Sequence, residues 1–303
     1  MFRFHRSQTP FLFVFFLIFV VLIFSGFTFA KKPQLCEKSC YDVVIPVHKK
    51  DVYQLSDMLS NTHNTLIGYR NIHIISSDPK FTQEVVRTCS QCYFHNENVF
   101  PFYNLLMKEM KKKRSGWLLQ QLIKLYAADY IPNLSENYFV LDSEVYFLRP
   151  LGFLTVDGRA ILTPGMKKTS NGQFHKPYFD HMRLLHPSLQ RVDKKISGIT
   201  DHMLMNRVVI HQLFNLVEDY HSKPFWRVFI DSVNWDTSSS ASEFEIYYNY
   251  IAKYHKDTFI LRPLYLGAFS ESKRSPSIHR YRMFGPAKPD YITKHCYMST
   301  KCV

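Results

Sequence analysis

The sequence predicts an α/β domain built on a mixed, mainly parallel sheet flanked by helices and preceded by one N-terminal transmembrane helix. Three observations carry this expectation. Residues 11–30, FLFVFFLIFVVLIFSGFTFA, contain no charge, and at about 1.5 Å per residue they reach across a bilayer core of about 30 Å. The β-branched run Tyr41–Val47, a helical stretch over Lys50–Leu66 and a second β run over Asn71–Ser76 then follow as strand, helix and strand, the spacing of a parallel βαβ unit. About 270 residues lie beyond the apolar segment, room for one large domain, and no repeat or long linker divides them.

Arg3 and Arg6 precede the apolar segment and Lys31 and Lys32 follow it, so the charge rule weakly places the N-terminus inside. A cleaved signal peptide is the rival, because Thr28-Phe29-Ala30 resembles a small-residue cleavage site, but its apolar region normally spans about 7–15 residues. The preferred organisation is a cytoplasmic tail over 1–10, a signal anchor over 11–30, a stem over 31–40 and a lumenal domain over 41–303. Either alternative exports the domain. All six cysteines follow the anchor in three close pairs, Cys36 and Cys40, Cys89 and Cys92, Cys296 and Cys302, as disulfides in an oxidising compartment would require. Zinc is the runner-up, yet no second Cys-x-x-Cys or His pair stands at the usual spacing. Asn133-Leu134-Ser135 is an N-glycosylation sequon.

The formal charge of +13 does not indicate a nucleic-acid partner, because the basic residues are scattered and only Lys111–Arg114 form a compact run, which reads as a solvated turn. A basic field does favour anionic small molecules such as nucleotide diphosphates.

The remaining elements follow in order. Cys92–His95 reads as a third strand, Phe102–Lys113 and Gly116–Tyr130 as helices, and Tyr138–Leu141 as a fourth strand closely followed by VYFLRP. Ala160–Pro164 is a short strand, His202–Leu216 a helix, and Phe225–Val233 ambiguous. Ser238–Ala241 is a polar turn, Glu243–His255 a helix and Thr258–Leu264 a late strand. Ligands of such folds bind beyond the carboxyl ends of the parallel strands, where Pro46, Val47, His48 and Lys49 fall.

Asp142-Ser143-Glu144 lies between two apolar runs. Strand alternation would put both carboxylates on one face with Ser143 on the other. Carboxylates in such a setting need a metal, a cation or a proton. Trp117, Gln121 and Lys124 stand at i, i+4 and i+7 on the preceding helix and share a face, which could present Lys124 to a phosphate. The alternative is a surface lysine beside a packing tryptophan. Ser242 and Glu245 have capping-box spacing, which leaves Glu243 for chemistry.

The stretches GWLLQQLIKLYAADYI, YFVLDSEVYFLRP, His175 to Pro187, SGITDHMLMNR, KPFWRVFIDSV and SEFEIYYNY resemble successive motifs of the family designated domain of unknown function 6492, regarded as GT-A-type glycosyltransferases. The similarity covers about residues 41–298. It implies a GT-A-like, Rossmann-like fold and a nucleotide-sugar donor reaching Pro46, Val47, His48, Lys49, Trp117, Gln121 and Lys124. It also implies a divalent cation, Mn²⁺ or Mg²⁺, on the Asp-x-Asp element, here Asp142-Ser143-Glu144 with Glu in place of the final Asp. A histidine near the C-terminus of such enzymes often adds a ligand, and His295 stands where it would be expected. Glu243 is the candidate acceptor-side base, and Asp201 and His202 are candidate donor-sugar or acceptor contacts.

The implied protein is a single-pass type II membrane enzyme of the Golgi or endoplasmic reticulum, acting on a glycan, protein or lipid acceptor and on no nucleic acid. A metal-dependent hydrolase and a non-catalytic, membrane-tethered sugar-nucleotide-binding protein are the competing classes. No His-Glu-x-x-His ligand set favours the hydrolase.

Overall fold

A computed structural model describes residues 40–165, 176–237, 240–264, 266–272, 275–284 and 290–295. The proposed anchor at 11–30, the tail, most of the stem, and Cys36, Cys296 and Cys302 lie outside these residues. Among the described residues no helix is long and apolar enough to cross a membrane.

The first half of the fold alternates strand and helix. β1 is Tyr41–Val47, α1 is Leu55–Thr65 after a 3-10 turn over Lys49–Gln54, β2 is Leu66–Ile67 and β3 is Tyr69–Ser76. α2 spans Pro79–Arg87 and β4 Cys92–Asn96. A π-helical turn over Leu105–Met110 then stops at Lys111, whose left-handed φ of 47° closes the turn. Only this part of the helix expected over Phe102–Lys113 is present. α3 is Ser115–Tyr130, β5 Asn137–Leu141, β6 Val145–Phe147, β7 Leu151–Gly152 and β8 Ala160–Leu162.

The second half is mainly helical before it returns to strands. α4 is Lys176–Leu185, β9 His202–Asn206, α5 Arg207–His221, α6 Phe225–Asp231 and α7 Glu243–Tyr254. β10 is Phe259–Leu261, β11 Leu266–Ser272, β12 Ser275–Phe284 and β13 Tyr291–His295.

The central sheet has the order β4-β3-β1-β5-β9, and its first four strands are parallel. β9 is antiparallel to β5, from Asn137 opposite Asn206 to Leu141 opposite His202. A mixed sheet carries β6 at its edge in the order β12-β11-β13-β6. β13 runs antiparallel to β6, with Tyr291 opposite Phe147 and Thr293 opposite Val145. Its C-terminal end is thereby brought toward the turn that precedes β6.

Strand periodicity sorts the core. Val44, Tyr138, Val140, Met203 and Met205 face α3 and α5–α7, whereas Val43, Ile45, Phe139, Leu141 and Leu204 face α1 and the aromatic cluster of Phe147 and Phe153. α3 is covered nearly all round, from Leu118 to Ala128, because its apolar residues exceed one face.

The helix expected over His202–Leu216 is corrected: its first five residues are β9, and the helix starts at Arg207. Asn206 makes the switch, its side-chain oxygen accepting from the backbone N–H groups of Val208 and Val209 at 2.9 and 3.2 Å. Cys89 and Cys92 form a disulfide, and Cys40 is disulfide-bonded as well.

The amino-terminal ends of the strands are clasped by Asp42, which is fully buried. Its carboxylate accepts from Arg70 Nε and Nη2 at 3.0 and 2.7 Å and from the amides of Asn71 and Ser135 at 3.1 and 2.8 Å. The Ser135 hydroxyl, part of the sequon, accepts in turn from the Asp42 amide at 2.7 Å. Burial alone would raise the Asp42 carboxyl, but His73, Arg70 and the Ser135 amide outweigh it and hold the group well below the ordinary carboxylate range.

A depressed native pKa stabilises the fold above the unfolded value near 3.9 and loses that contribution as pH falls below it. Asp42→Asn should therefore cost about 2–3 kcal/mol at pH 7, because Arg70, 46% exposed, can be resolvated. Urea melts from pH 7 to pH 3 should show the wild-type advantage shrinking below about pH 4.

Candidate functional site

At the carboxyl ends of β1 and β5 lies a cleft of about 270 Å³, lined among others by Pro46, Trp117, Gln121, Lys124, Asp142, Ser143, Glu144, Asp201 and Glu243. Its floor is an ion triad. Lys124 Nζ lies 2.5 Å from Asp142 Oδ1 and donates to Glu243 Oε1 at 2.6 Å, with the Phe244 ring centroid 4.4 Å away. Burial would strip the Lys124 proton, but the two carboxylates outweigh burial and raise the ammonium above its ordinary value. Lys124 is thus a charged cross-link between β5 and α7.

Each partner is held by local structure. Asp142 and Glu144 sit in a tight turn closed by Val145 N–H donating to Asp142 O at 3.1 Å, not on a strand as alternation had suggested. Both carboxylates still reach the cleft, and Ser143 lines it with them. Glu243 opens α7, where Ser242 caps the helix by accepting from the Glu245 amide at 3.2 Å. The Glu243 amide donates to Gln121 Oε1 at 3.2 Å. Glu245 turns inward instead of completing a capping box: its carboxylate accepts from Ser197 Oγ at 2.5 Å, Gly198 N–H at 3.0 Å and Asn249 Nδ2 at 3.1 Å.

That anchorage places the 197–201 loop. A Cβ on Gly198 would stand 2.5 Å from Phe244 O, so only glycine lets the loop pack on α7. The loop ends at Asp201, at φ 59°, whose carbonyl accepts from the Asp142 amide at 3.0 Å and whose side chain lines the cleft. Glu144 is pushed up to about 8, first by burial and then by the charges of Asp142, Asp201 and Asp51, against a smaller opposing effect of Lys124. The negative charge around Glu144 thus acts on it more strongly than the Lys124 ammonium does.

The sequence candidates divide cleanly. Pro46, Trp117, Gln121, Lys124, Asp142, Glu144, Asp201 and Glu243 meet in the cleft. Lys124, expected to offer itself to a phosphate, is instead buried in the ion triad. Val47 is buried in the core, and His48 and Lys49 are exposed at the end of β1, beside but not among the cleft's lining residues. His48 approaches Gly116, at the start of α3, where an added Cβ would stand 4.0 Å from its ring.

His202 is corrected: it is 1% exposed and packs among Phe139, Phe147 and Phe153 with centroids at 5.7, 5.4 and 5.2 Å. Its Nε2 is 3.1 Å from Thr163 Oγ1, and burial pushes the imidazole down to about 3. A substrate contact for His202 is withdrawn. His295 ends β13, two residues past the partner of Val145, and its side chain lies outside what is described. Tyr178 of α4 and Ile199 also line the cleft; Tyr178 lies within the motif from His175 to Pro187, but its residue type alone does not single it out.

Asp142, Glu144 and Asp201 bring hard oxygen donors to the cleft, a chemistry that fits a divalent cation. Among the described residues no three His, Cys, Asp or Glu side chains are grouped closely enough to hold one.

Fold and site together define a mainly parallel α/β protein with an acidic cleft at the carboxyl edge of its sheet. The chain belongs to the family described as family of unknown function (DUF6492), whose profile matches residues 35–262. No curated protein matches. Among solved structures it is similar to mouse xyloside xylosyltransferase 1 in its apo form, at 11% identity and a TM-score of 0.42 over 74% of this chain and 85% of that one. It is also similar to the galactosyltransferase LgtC in complex with donor and acceptor sugar analogs, at 10% identity and a TM-score of 0.40 over 63% and 69%.

Removing the ammonium leaves the buried carboxylate of Glu243 facing the half-buried carboxylate of Asp142. Lys124→Met should destabilise the domain by roughly 3–5 kcal/mol in denaturant melts. Adding Glu243→Gln to that variant should recover part of the loss, because one of the opposed charges is gone.

Proposed function

We propose that this protein is a membrane-anchored glycosyltransferase of the GT-A type, moving a sugar from a nucleotide-sugar donor to a glycan, protein or lipid acceptor in the lumen of the Golgi or endoplasmic reticulum. Support comes from the convergence of four separate family motifs on one cleft. GWLLQQLIK supplies Trp117, Gln121 and Lys124; YFVLDSEV supplies Asp142, Ser143 and Glu144; SGITD supplies Ile199 and Asp201; SEFE supplies Ser242, Glu243 and Phe244. Motifs scattered over the chain meet at the edge of a parallel sheet where ligands of α/β folds bind.

The residues that would hold the cation are Asp142 and Glu144, with Asp201 beside them and His295 as a further candidate. A bound divalent cation supplies countercharge to the departing nucleoside diphosphate. Lys124 holds Asp142 and Glu243 in place, and Pro46 and Trp117 flank the cleft for the donor. Glu243, held by Lys124 and Gln121, faces the cleft as the group closest in kind to an acceptor-side base.

A non-catalytic sugar-nucleotide-binding protein is the second reading. One observation favours it: Lys124 already neutralises Asp142.

A panel of nucleotide sugars assayed for Mn²⁺-dependent donor hydrolysis separates these readings. The transferase should turn over at least one donor, and Asp142→Asn should abolish turnover without changing the melting temperature by more than a few degrees. Undiminished turnover in chelator or in Asp142→Asn would sink the metal mechanism, and donor binding without turnover would favour the second reading.

A pH titration adds an independent check, since Glu144 is pushed up to about 8 and a cation takes only the ionised form. Calorimetric Mn²⁺ affinity should rise by up to about tenfold per pH unit below pH 8 and level off above it. Glu144→Gln should remove that slope.

A further inference from the structure

The acidic cleft has a basic neighbour that its own chemistry does not use. Residues 108–114, KEMKKKR, carry five cations against one carboxylate, Glu109. Lys108, Lys111, Lys112 and Lys113 are exposed and Arg114 is half-buried. Among the described residues none of these five cations is in an ion pair, whereas Lys176, Arg183 and Arg227, for example, are paired with Asp180 or Asp231.

Three of the five instead lie against aromatic rings. Arg114 stands over Trp117 at 5.3 Å, Lys112 over Trp235 at 4.6 Å and Lys108 over Tyr103 at 5.9 Å. Such stacking orients the cations without neutralising them. Trp117 and Trp235 are two of the three tryptophans in the chain, and both are half-buried against the core and half open.

The ledge is continuous with the cleft, because Trp117 belongs to both: its ring lines the cleft and carries Arg114. Arg114 stacks on Trp117 and Lys112 on Trp235, and residues 112–117 of the chain join the two pairs. Indole faces accept the apolar face of a pyranose ring, and unpaired ammonium and guanidinium groups accept sulfate, phosphate or carboxylate substituents.

We propose that this ledge is the acceptor subsite and that the acceptor is an anionic carbohydrate, bearing sulfate, phosphate or uronate groups. The proposal deepens the glycosyltransferase reading and rests on it for the word acceptor. The recognition of an anionic glycan stands on the ledge alone. Continuity with the cleft favours a glycan over an anionic membrane surface, since a lipid headgroup bound at the ledge would not need to reach the cleft.

Binding of a sulfated hexasaccharide to the purified protein tests the proposal, with its desulfated counterpart, UDP with Mn²⁺, inorganic polyphosphate and phosphatidylserine vesicles as parallel probes. Two variants report on the ledge, a triple charge reversal of Lys111, Lys112 and Lys113 to Glu and the separate Trp235→Ala. The reversed residues are exposed, so unchanged melting is the control for folding.

The sulfated hexasaccharide should bind, the desulfated one much more weakly. The triple reversal should weaken the former at least about tenfold, Trp235→Ala should weaken it as well, and UDP binding should be unchanged in both. Loss of UDP binding in the triple variant would overturn the proposal by assigning the cations to the donor. Polyphosphate binding that equals the hexasaccharide and ignores Trp235 would overturn it by showing recognition of charge alone. Ledge-dependent binding to vesicles without hexasaccharide binding would assign the surface to the membrane. Hexasaccharide binding with no UDP binding to the wild type would uphold the anionic-carbohydrate surface while removing the transferase reading.

Discussion

One buried ammonium organises the carboxyl edge of the sheet. Lys124 joins Asp142, in the turn after β5, to Glu243, at the start of α7, over 119 residues of sequence on the Glu243 side. The cross-link demands that α3 lie flush against the sheet, because a helix rotated by one residue would swing the ammonium through about 100° and away from both carboxylates. It also demands that α7 begin where it does. The Ser242 cap and the Glu243 amide on Gln121 fix that start, and Gly198 lets the 197–201 loop close over it. Stability and site geometry are therefore set by the same few contacts.

The two ends of β1 treat carboxylates in opposite ways. At the amino end Asp42 has a bidentate arginine and two amides, more donors than one charge needs, and the group serves the fold. At the carboxyl end Lys124 is shared by Asp142 and Glu243, one cation between two carboxylates, with Glu144 and Asp201 lining the same cleft. Carboxylates held so close together raise one another's affinity for protons, as burial and the neighbouring charges do at Glu144. Separating the two roles along the length of the strands lets the acidic cleft sit on a well-anchored scaffold.

Much of this was legible in the sequence, and the failures have physical causes. The βαβ start could be seen because β1 and β3 are β-branched runs buried on both faces. α3 and α7 could be seen because both carry sustained helical periodicity. His202–Asn206 was misassigned because HMLMN is short, buried on both faces and runs straight into a helix without glycine or proline. The usable signal was Asn206, a capping residue immediately before the apolar repeat. Asp142 and Glu144 were expected to share a face by strand alternation, and they share the cleft through a turn instead. Lys124 was placed on the right helix face, but its partners lie at positions 142 and 243, and no local pattern encodes a contact over that distance. The strands from Leu266 onward pair mainly with one another and with β6, a non-local register that periodicity alone does not reveal.

Asp201 occupies a backbone conformation that disfavours most side chains, since a left-handed φ costs an ordinary L-residue roughly 1–2 kcal/mol while glycine, asparagine and aspartate adopt it readily. This corner thus favours three residue types before any chemistry is considered, and only one of the three brings a charge. Asparagine there would keep the bend, the carbonyl that holds the Asp142 amide and nearly the same volume. The shape of the corner and its electrostatic contribution are therefore separable at position 201, as they are not at Lys124, where one group provides both the link and the charge.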